Sequence, residues 1–421
     1  MIVDGPIVDG TWKGLPPLLP PTPLVSLGEL GWSLLDDSLP SVVAVLRVDA
    51  LSHNRAWMRR FLDRTGATLA PHAKTTMSPE LFALQAADGA WGLTVATVHQ
   101  ARVARAAGFS RILLANELHA GPELAWLARE LRDDPTAEIV PLVDSVAGVE
   151  RLAAALTEVG RPVPVLVEIG WAGGRAGCRT LAEALDVARA VAASPALALR
   201  GIEAYEGLVP GPTPEAREAR VRGFLALVCE VATACEGLYA TGERPILTAG
   251  GSTFLDLVAD RFAPLSDRFL PLLRSGCYLT GDHGLYAAAM DRLRARDPSL
   301  ADLGGLDPAL EVWATVLSRP EPGRVIVAAG KRDIGIDAGL PVPIRTSRPG
   351  DGPPTALPDA RVVEVNDQHS HLVVPETSPI RVGDRVALGI THPCTTFDRW
   401  SVLLCVDPAW KVVGAVRTCF G

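Results

Sequence analysis

Short β-branched runs alternate with segments of helical spacing from about Thr68 to Tyr278. Each run ends in a polar residue. Each following segment is rich in Ala, Leu, Arg and Glu, with apolar positions three and four apart, the period of a helix that buries one face. The runs are TLAPHAK, GLTVAT, RILLANE, EIVPLVDS, VPVLVEI, LRGIEAYEG, PILTAGG and LPLLRSGCY; LAEALDVARAVAAS and EAREARVRGFLALVCEVATA are two of the segments between them. Eight such units predict an α/β fold, a parallel (β/α)8 barrel. A doubly wound open sheet is the alternative, and eight units favour closure. Polar or reactive residues fall at or just after the C-terminal ends of these runs: Lys74, Asn116, Asp144, Arg175, Tyr205, Gly250 to Thr253, and Ser275. That rim is where a barrel builds its active site.

The texture changes after about Leu303. EVWATVLSR, GRVIVAAG, ARVVEVN, SHLVVPE, DRVALGI, SVLLCVD and KVVGAVRT are short runs separated by Pro, Gly and Asp turns, which predicts a mostly antiparallel β domain. GLPPLLPPTPLVSL, near the start, is too proline-rich for the barrel. The expected organisation is therefore an N-terminal segment (1–41) running towards the β domain, a barrel (42–290) and a β domain (303–421).

Composition narrows the chemistry. The chain has 421 residues, enough for two or three cored domains, and a net charge of -8 with no basic run to neutralise phosphates, which argues against nucleic acid as a partner. The N-terminus has no basic region followed by an unbroken apolar core, so neither a signal peptide nor a membrane anchor is expected. Seven scattered cysteines fit a reduced, cytoplasmic setting better than a disulfide framework.

Four places carry candidate chemistry. Lys74, at the end of the first barrel strand, is an amine whose charge must be solvated, paired or used, and lysine lends itself to covalent attachment of a carbonyl cofactor. The plainer role is a rim lysine reaching solvent. TAGGSTF (Thr248 to Phe254) follows the seventh strand, where barrels place phosphate: paired glycines can turn N–H groups inward, and Ser252 and Thr253 add hydroxyls. Arg175, set among Gly173, Gly174 and Gly177, can hold an anionic oxygen in a fixed fork, or be a solvated loop arginine. His392 and Cys394, in ITHPCTTFDRW, share one face if that segment is extended, and imidazole with thiolate suits zinc or a similar ion. Two ligands suffice for an open catalytic site and not for a closed structural one. His369 and His371 have the same spacing and are either further ligands or surface residues; His53 and His99 fall on predicted helices and read as structural.

In combination these motifs resemble the D-serine dehydratase and D-threonine aldolase family, fold type III pyridoxal-phosphate enzymes with an alanine-racemase-like barrel plus β domain. PHAKTTMSPEL resembles the family's cofactor-lysine motif, which implies that Lys74 holds pyridoxal 5'-phosphate. GRAG is similar to its arginine element, placing Arg175 near the cofactor's phenolic oxygen, and IEAYEG to its tyrosine motif, giving Tyr205. TAGGST and LRSGCY resemble its phosphate-binding elements, which carries over Gly250, Gly251, Ser252, Thr253, Gly276 and Tyr278. THPCTTFDRW is similar to its metal motif, with His392 and Cys394 as ligands of a divalent ion, zinc or manganese. The resemblance runs in order from about Val42 to Trp400. It departs from the pattern at Leu208, where some aldolase-like relatives have histidine, and at Asn366-Asp367-Gln368-His369-Ser370, where acidic residues usually precede a histidine-glycine pair.

The resemblance implies a lyase for a small D-3-hydroxy amino acid, working as a homodimer. Lys74 would take the α-proton while the metal polarises the β-hydroxyl, so that loss of water leads to a 2-oxo acid and ammonia. Retro-aldol cleavage of the D-threonine aldolase type is the alternative. An amino-acid racemase, which needs a second acid/base and no metal, and a non-catalytic cofactor-binding protein are the more distant ones.

Overall fold

A computed structural model describes residues 5–421. The described residues divide into two compact units: one comprises residues 59–74 and 84–276, the other residues 5–58, 75–83 and 277–421.

The first unit holds all eight predicted barrel strands: Thr68–Leu69, Leu93–Val95, Arg111–Glu117, Glu138–Val143, Val163–Ile169, Leu197–Ala204, Ile246–Ala249 and Leu270–Leu273. They form one sheet in which every pairing is parallel. A parallel bridge between His72 and Thr94 joins the sheet's two ends, with Trp91 N–H donating to Leu69 O (2.8 Å) and Thr94 N–H to Pro71 O (3.0 Å). The sheet is therefore a closed barrel. Strands covered on both faces read as continuous apolar runs, and Val163–Ile169 is buried at six of its seven positions. Leu113, Val140, Leu142, Leu166, Ile246 and Leu272 share one buried cluster.

Helix starts explain how the rim loops are held in place. Ser145 accepts from Gly148 N–H ahead of Val146–Leu156, and Thr213 from Ala216 N–H ahead of Pro214–Ala234. Thr180 and Glu183 form a reciprocal capping box on Leu181–Ala193, whose buried residues Ala184, Val187, Ala188 and Val191 repeat at helical spacing. Each cap contributes about 1 kcal/mol and fixes where the preceding loop ends.

The second unit is built on a ten-stranded sheet. Thr355–Ala356, Val342–Ser347, Arg385–Gly389, Leu310–Glu321, Arg324–Val327, Ser370–Val373 and Arg361–Val365 follow one another across the sheet, all antiparallel. Val402–Val406 and Val412–Arg417 form an antiparallel hairpin beside them. The tenth strand departs from expectation. Val42–Arg47 pairs antiparallel with Leu310–Glu321 and parallel with Val402–Val406, so residues 42–47 belong to this sheet and the barrel sheet starts at Thr68. The five-residue apolar run Val42 to Leu46 suits burial in either sheet; the register from Leu46 opposite Leu310 to Val42 opposite Ala314 decides the matter. The proline-rich segment contributes Leu15, Leu24 and Leu27 to the same buried cluster as Val43, Val45, Trp313 and Leu404. No helix among the described residues is long and apolar enough to cross a membrane.

Candidate active site

In the barrel unit the sequence-selected residues sit on the loops that leave the C-terminal strand ends. Lys74 is exposed, on the single turn Ala73–Thr75 that follows Thr68–Leu69. Burial, reinforced by the charges of Lys74 and Arg274, pushes the His72 imidazole well below its usual range and keeps it neutral. Arg175 reaches to within 4.0 Å of Glu168 Oε1, and its guanidinium stands 5.6 Å from the centre of the Tyr205 ring. Arg175, Glu168, Trp171, Tyr205 and Leu208 line one small cavity.

The glycine loop after Ile246–Ala249 is shaped by close approach. A Cβ at position 250 would lie 2.4 Å from the Tyr205 ring, so only glycine lets that ring rest against the loop. Gly251 adopts φ +65°, its N–H donates to Glu206 Oε1 (2.8 Å), and its carbonyl accepts from the Ser275 hydroxyl (2.7 Å). The Gly251 amide is thus already engaged by a carboxyl group. The Thr253 hydroxyl is buried with no hydrogen-bond partner among the described residues, as is Glu206 Oε2. Gly276 ends the barrel unit, and Tyr278 lies buried on the single turn Cys277–Leu279.

Three buried acids and an arginine were not singled out by the sequence reading. Arg274 donates to Glu203, to Ala204 O (3.0 Å) and to Thr248 Oγ1 (3.1 Å), and both Arg274 and Glu203 are buried. Burial, helped by the neighbouring charges of Glu203 and Glu117, pushes Glu168 up to about 10, so it is a neutral acid at physiological pH. Burial likewise raises Glu206. The available signal was a charged residue inside an apolar strand run, as in VPVLVEI and LRGIEAYEG.

The β unit gathers a second cluster. His392 and Cys394 come together, but not on an extended strand as expected: Cys394 opens the short helix Cys394–Phe397, with Pro393 in the helical region before it. A third side chain joins them. Cys277 Sγ lies 3.5 Å from Cys394 Sγ, and one donor atom from each of Cys277, His392 and Cys394 falls within 4.8 Å of the others. Asp337 accepts from His392 Nδ1 at 2.6 Å, which leaves Nε2 as the ring's second donor position. The Thr75 hydroxyl lies 3.4 Å from Cys394 Sγ and 3.5 Å from Cys277 Sγ. Hydrogen bonding from Cys277 first, and then from His392, holds the Cys394 thiol well below its usual range against the opposing effect of burial. His392 rises to about 9, chiefly through its hydrogen bond to Cys394. His371 is not part of the cluster, since its Nε2 bonds Asn366 Oδ1 at 2.8 Å, and His369 is exposed.

Comparison with known proteins gives these features a family. Residues 46–281 match the model of the alanine racemase N-terminal domain, and residues 309–406 that of a putative serine dehydratase domain. A D-threo-3-hydroxyaspartate dehydratase of Delftia sp. is 30% identical over 72% of this chain and 74% of its own. The chain belongs to the D-serine dehydratase and D-threonine aldolase family. Among its other relatives, a 3-hydroxy-D-aspartate aldolase of Paracoccus denitrificans is 26% identical over 89% of this chain and 92% of its own. The solved structure of D-threonine aldolase from Filomicrobium marinum superposes with a TM-score of 0.75 at 25% identity, covering 92% of this chain and 96% of that one. Membership makes the protein a pyridoxal-phosphate-dependent lyase with the alanine-racemase-like fold. The residues present fit the two expected groups. An amine at one barrel strand end, an arginine after another and an unpartnered buried hydroxyl suit a phosphorylated aldehyde. Two thiols and an imidazole backed by a carboxylate suit a borderline-soft divalent ion.

Proposed function

We propose that this lyase eliminates water from a D-3-hydroxy amino acid, the released enamine then taking up water to give a 2-oxo acid and ammonia, with pyridoxal phosphate on Lys74 and a divalent metal on His392 and Cys394. The observation that carries the reading is the thiol–imidazole cluster of the β unit. A racemase has no use for such a cluster, whereas expulsion of a β-hydroxyl at neutral pH calls for a Lewis acid on that oxygen. The metal would supply that polarisation, and the cofactor would draw negative charge away from Cα.

The chain's own residues then have separable tasks. Lys74 Nζ takes the proton from Cα. Arg175 holds an anionic oxygen, and its placement against the Tyr205 ring limits the directions in which its fork can point. Glu168, kept neutral near Arg175, adds no negative charge to the cavity that would compete for the guanidinium. Asp337 fixes the ring orientation of His392 through Nδ1. Ser252 and Thr253 offer hydroxyls to the phosphate, and Gly276 and Tyr278 are the further elements that the family pattern assigns there.

Retro-aldol cleavage is the second reading, favoured by the aldolases among the relatives. It needs a base at the β-hydroxyl, and Leu208, in the Arg175 cavity, cannot serve as one. D-threonine separates the two. Incubated with it, the protein should release 2-oxobutanoate and ammonia in excess over glycine and acetaldehyde, and chelator should suppress that release. Leu208→His should shift the ratio towards glycine. Glycine as the main product of the unaltered protein would establish the aldolase reading instead.

A further inference from the structure

The expected metal ligands number two, and the β unit holds a third donor that the family pattern did not supply. We propose that Cys277 ligates the metal together with Cys394 and His392, making a two-thiolate, one-imidazole site that takes zinc in preference to manganese or magnesium. The inference rests on the metal-dependent reading above and sharpens it.

The geometry is that of a site already assembled. Two sulfurs each about 2.3 Å from a tetrahedral ion stand roughly 3.8 Å apart, and those of Cys277 and Cys394 are 3.5 Å apart. All three donor atoms fall within 4.8 Å of one another. They come from two stretches of the fold, Cys277 from one and His392 with Cys394 from the other. Cys277 sits on the buried turn Cys277–Leu279, and Cys394 opens a helix whose Thr396 hydroxyl accepts from Gly335 N–H (3.0 Å). Asp337 points His392 by its Nδ1, leaving Nε2 for the ion. The Thr75 hydroxyl, 3.4 and 3.5 Å from the two sulfurs, can donate to a thiolate and hold that sulfur's position.

Donor softness then sets the metal. Oxygen ligands suit manganese and magnesium, while two thiolates with one imidazole suit zinc, in the three-protein-ligand pattern that leaves a fourth position for water or substrate. Cys277 is thus a specificity-determining ligand, deciding which ion meets the β-hydroxyl.

The test reads the metal directly. Metal-free protein, prepared with chelator under anaerobic reducing conditions, is titrated with cobalt(II) and, separately, with zinc and manganese against a chromophoric competitor. The near-ultraviolet sulfur-to-cobalt absorption should fall by about half in Cys277→Ser. Zinc affinity should fall more than about 100-fold, beyond what loss of an outer-sphere partner costs, with manganese binding little changed. X-ray absorption of the zinc-loaded unaltered protein should count two sulfurs per zinc at about 2.3 Å, a measurement that needs no variant to fold. One sulfur per zinc, or an unaltered cobalt spectrum in Cys277→Ser, overturns the role of Cys277 and leaves the metal-dependent reading standing. Failure of the unaltered protein to take up cobalt or zinc overturns both.

Discussion

Acid should destabilise this protein through one histidine in particular. His283 follows the buried turn Cys277–Leu279, and its ring lies against the backbone of Gly389, where a Cβ would come within 2.5 Å of Nδ1. That nitrogen is buried with no hydrogen-bond partner among the described residues. Burial, with the charges of Arg345 and Arg47 added, pushes His283 down to about 4. A histidine whose folded value is depressed contributes stability that is complete above its unfolded value, near 6.5, and is lost as pH falls through the folded one. The displacement of roughly 2.5 units is worth about 3 kcal/mol, and most of it is gone at pH 4. The perturbation is His283→Gln, which keeps a polar group of similar reach and cannot titrate. Urea unfolding at pH 7.5, 5.5 and 4.0, followed by tryptophan fluorescence, should show the unaltered protein losing about 3 kcal/mol more than the variant across that range. Ring-proton NMR should show no charging of His283 above pH 5. Parallel losses in the two proteins, or a ring that titrates near 6.5 in the folded state, would refute the reasoning.

Three further outcomes are expected. Borohydride should bleach the yellow holoprotein and leave a label on Lys74, whereas Lys74→Ala should carry no reducible cofactor; a label retained in that variant would move the attachment elsewhere. Cys394→Ala should stay folded by circular dichroism and keep its cofactor absorbance while losing most lyase activity, because the metal serves the substrate and not the fold; unfolding or full activity would count against that division. Arg274→Met should cost about 3–5 kcal/mol in unfolding free energy, since it strands Glu203 as a buried carboxyl without its ion-pair partner. Arg274→Met combined with Glu203→Met should recover most of that loss, and a double variant no more stable than Arg274→Met alone would show that the pair's charges do not set the cost.

The barrel was legible because its signal is local and repeated. An apolar run with a polar end recurs eight times, and the caps Thr97, Ser145, Thr180 and Thr213 mark four of the helix starts between the runs. Residues 42–47, included in the barrel span 42–290, show where local signals stop. VVAVLR announces a buried strand without saying against what, since its partner Leu310–Glu321 lies far along the chain. The His392 and Cys394 pair was visible as donor chemistry, but the extended geometry inferred for it was wrong, because Pro393 leads into a helix rather than a strand. Cys277 could not be read at all: a lone cysteine between Gly276 and Tyr278 gains its meaning from a thiol 117 residues away. The same holds for Glu203, whose burial is tolerable only because Arg274, 71 residues on, reaches its carboxylate.

The strand Val42–Arg47 sets the order of synthesis against the order of assembly. It leaves the ribosome before both of its sheet partners, Leu310–Glu321 and Val402–Val406, and Arg385 reaches back to the Pro40 carbonyl across 345 residues. At ordinary translation speeds that is a wait on the order of ten to fifty seconds, during which a sticky six-residue segment has both edges unpaired. Every residue of the barrel unit has been made by Gly276, well before the strand's partners exist. The nascent chain must therefore carry this strand as an unclaimed aggregation hazard until its partners are made, and shielding of residues 42–47 during that interval is where a chaperone's help would matter most.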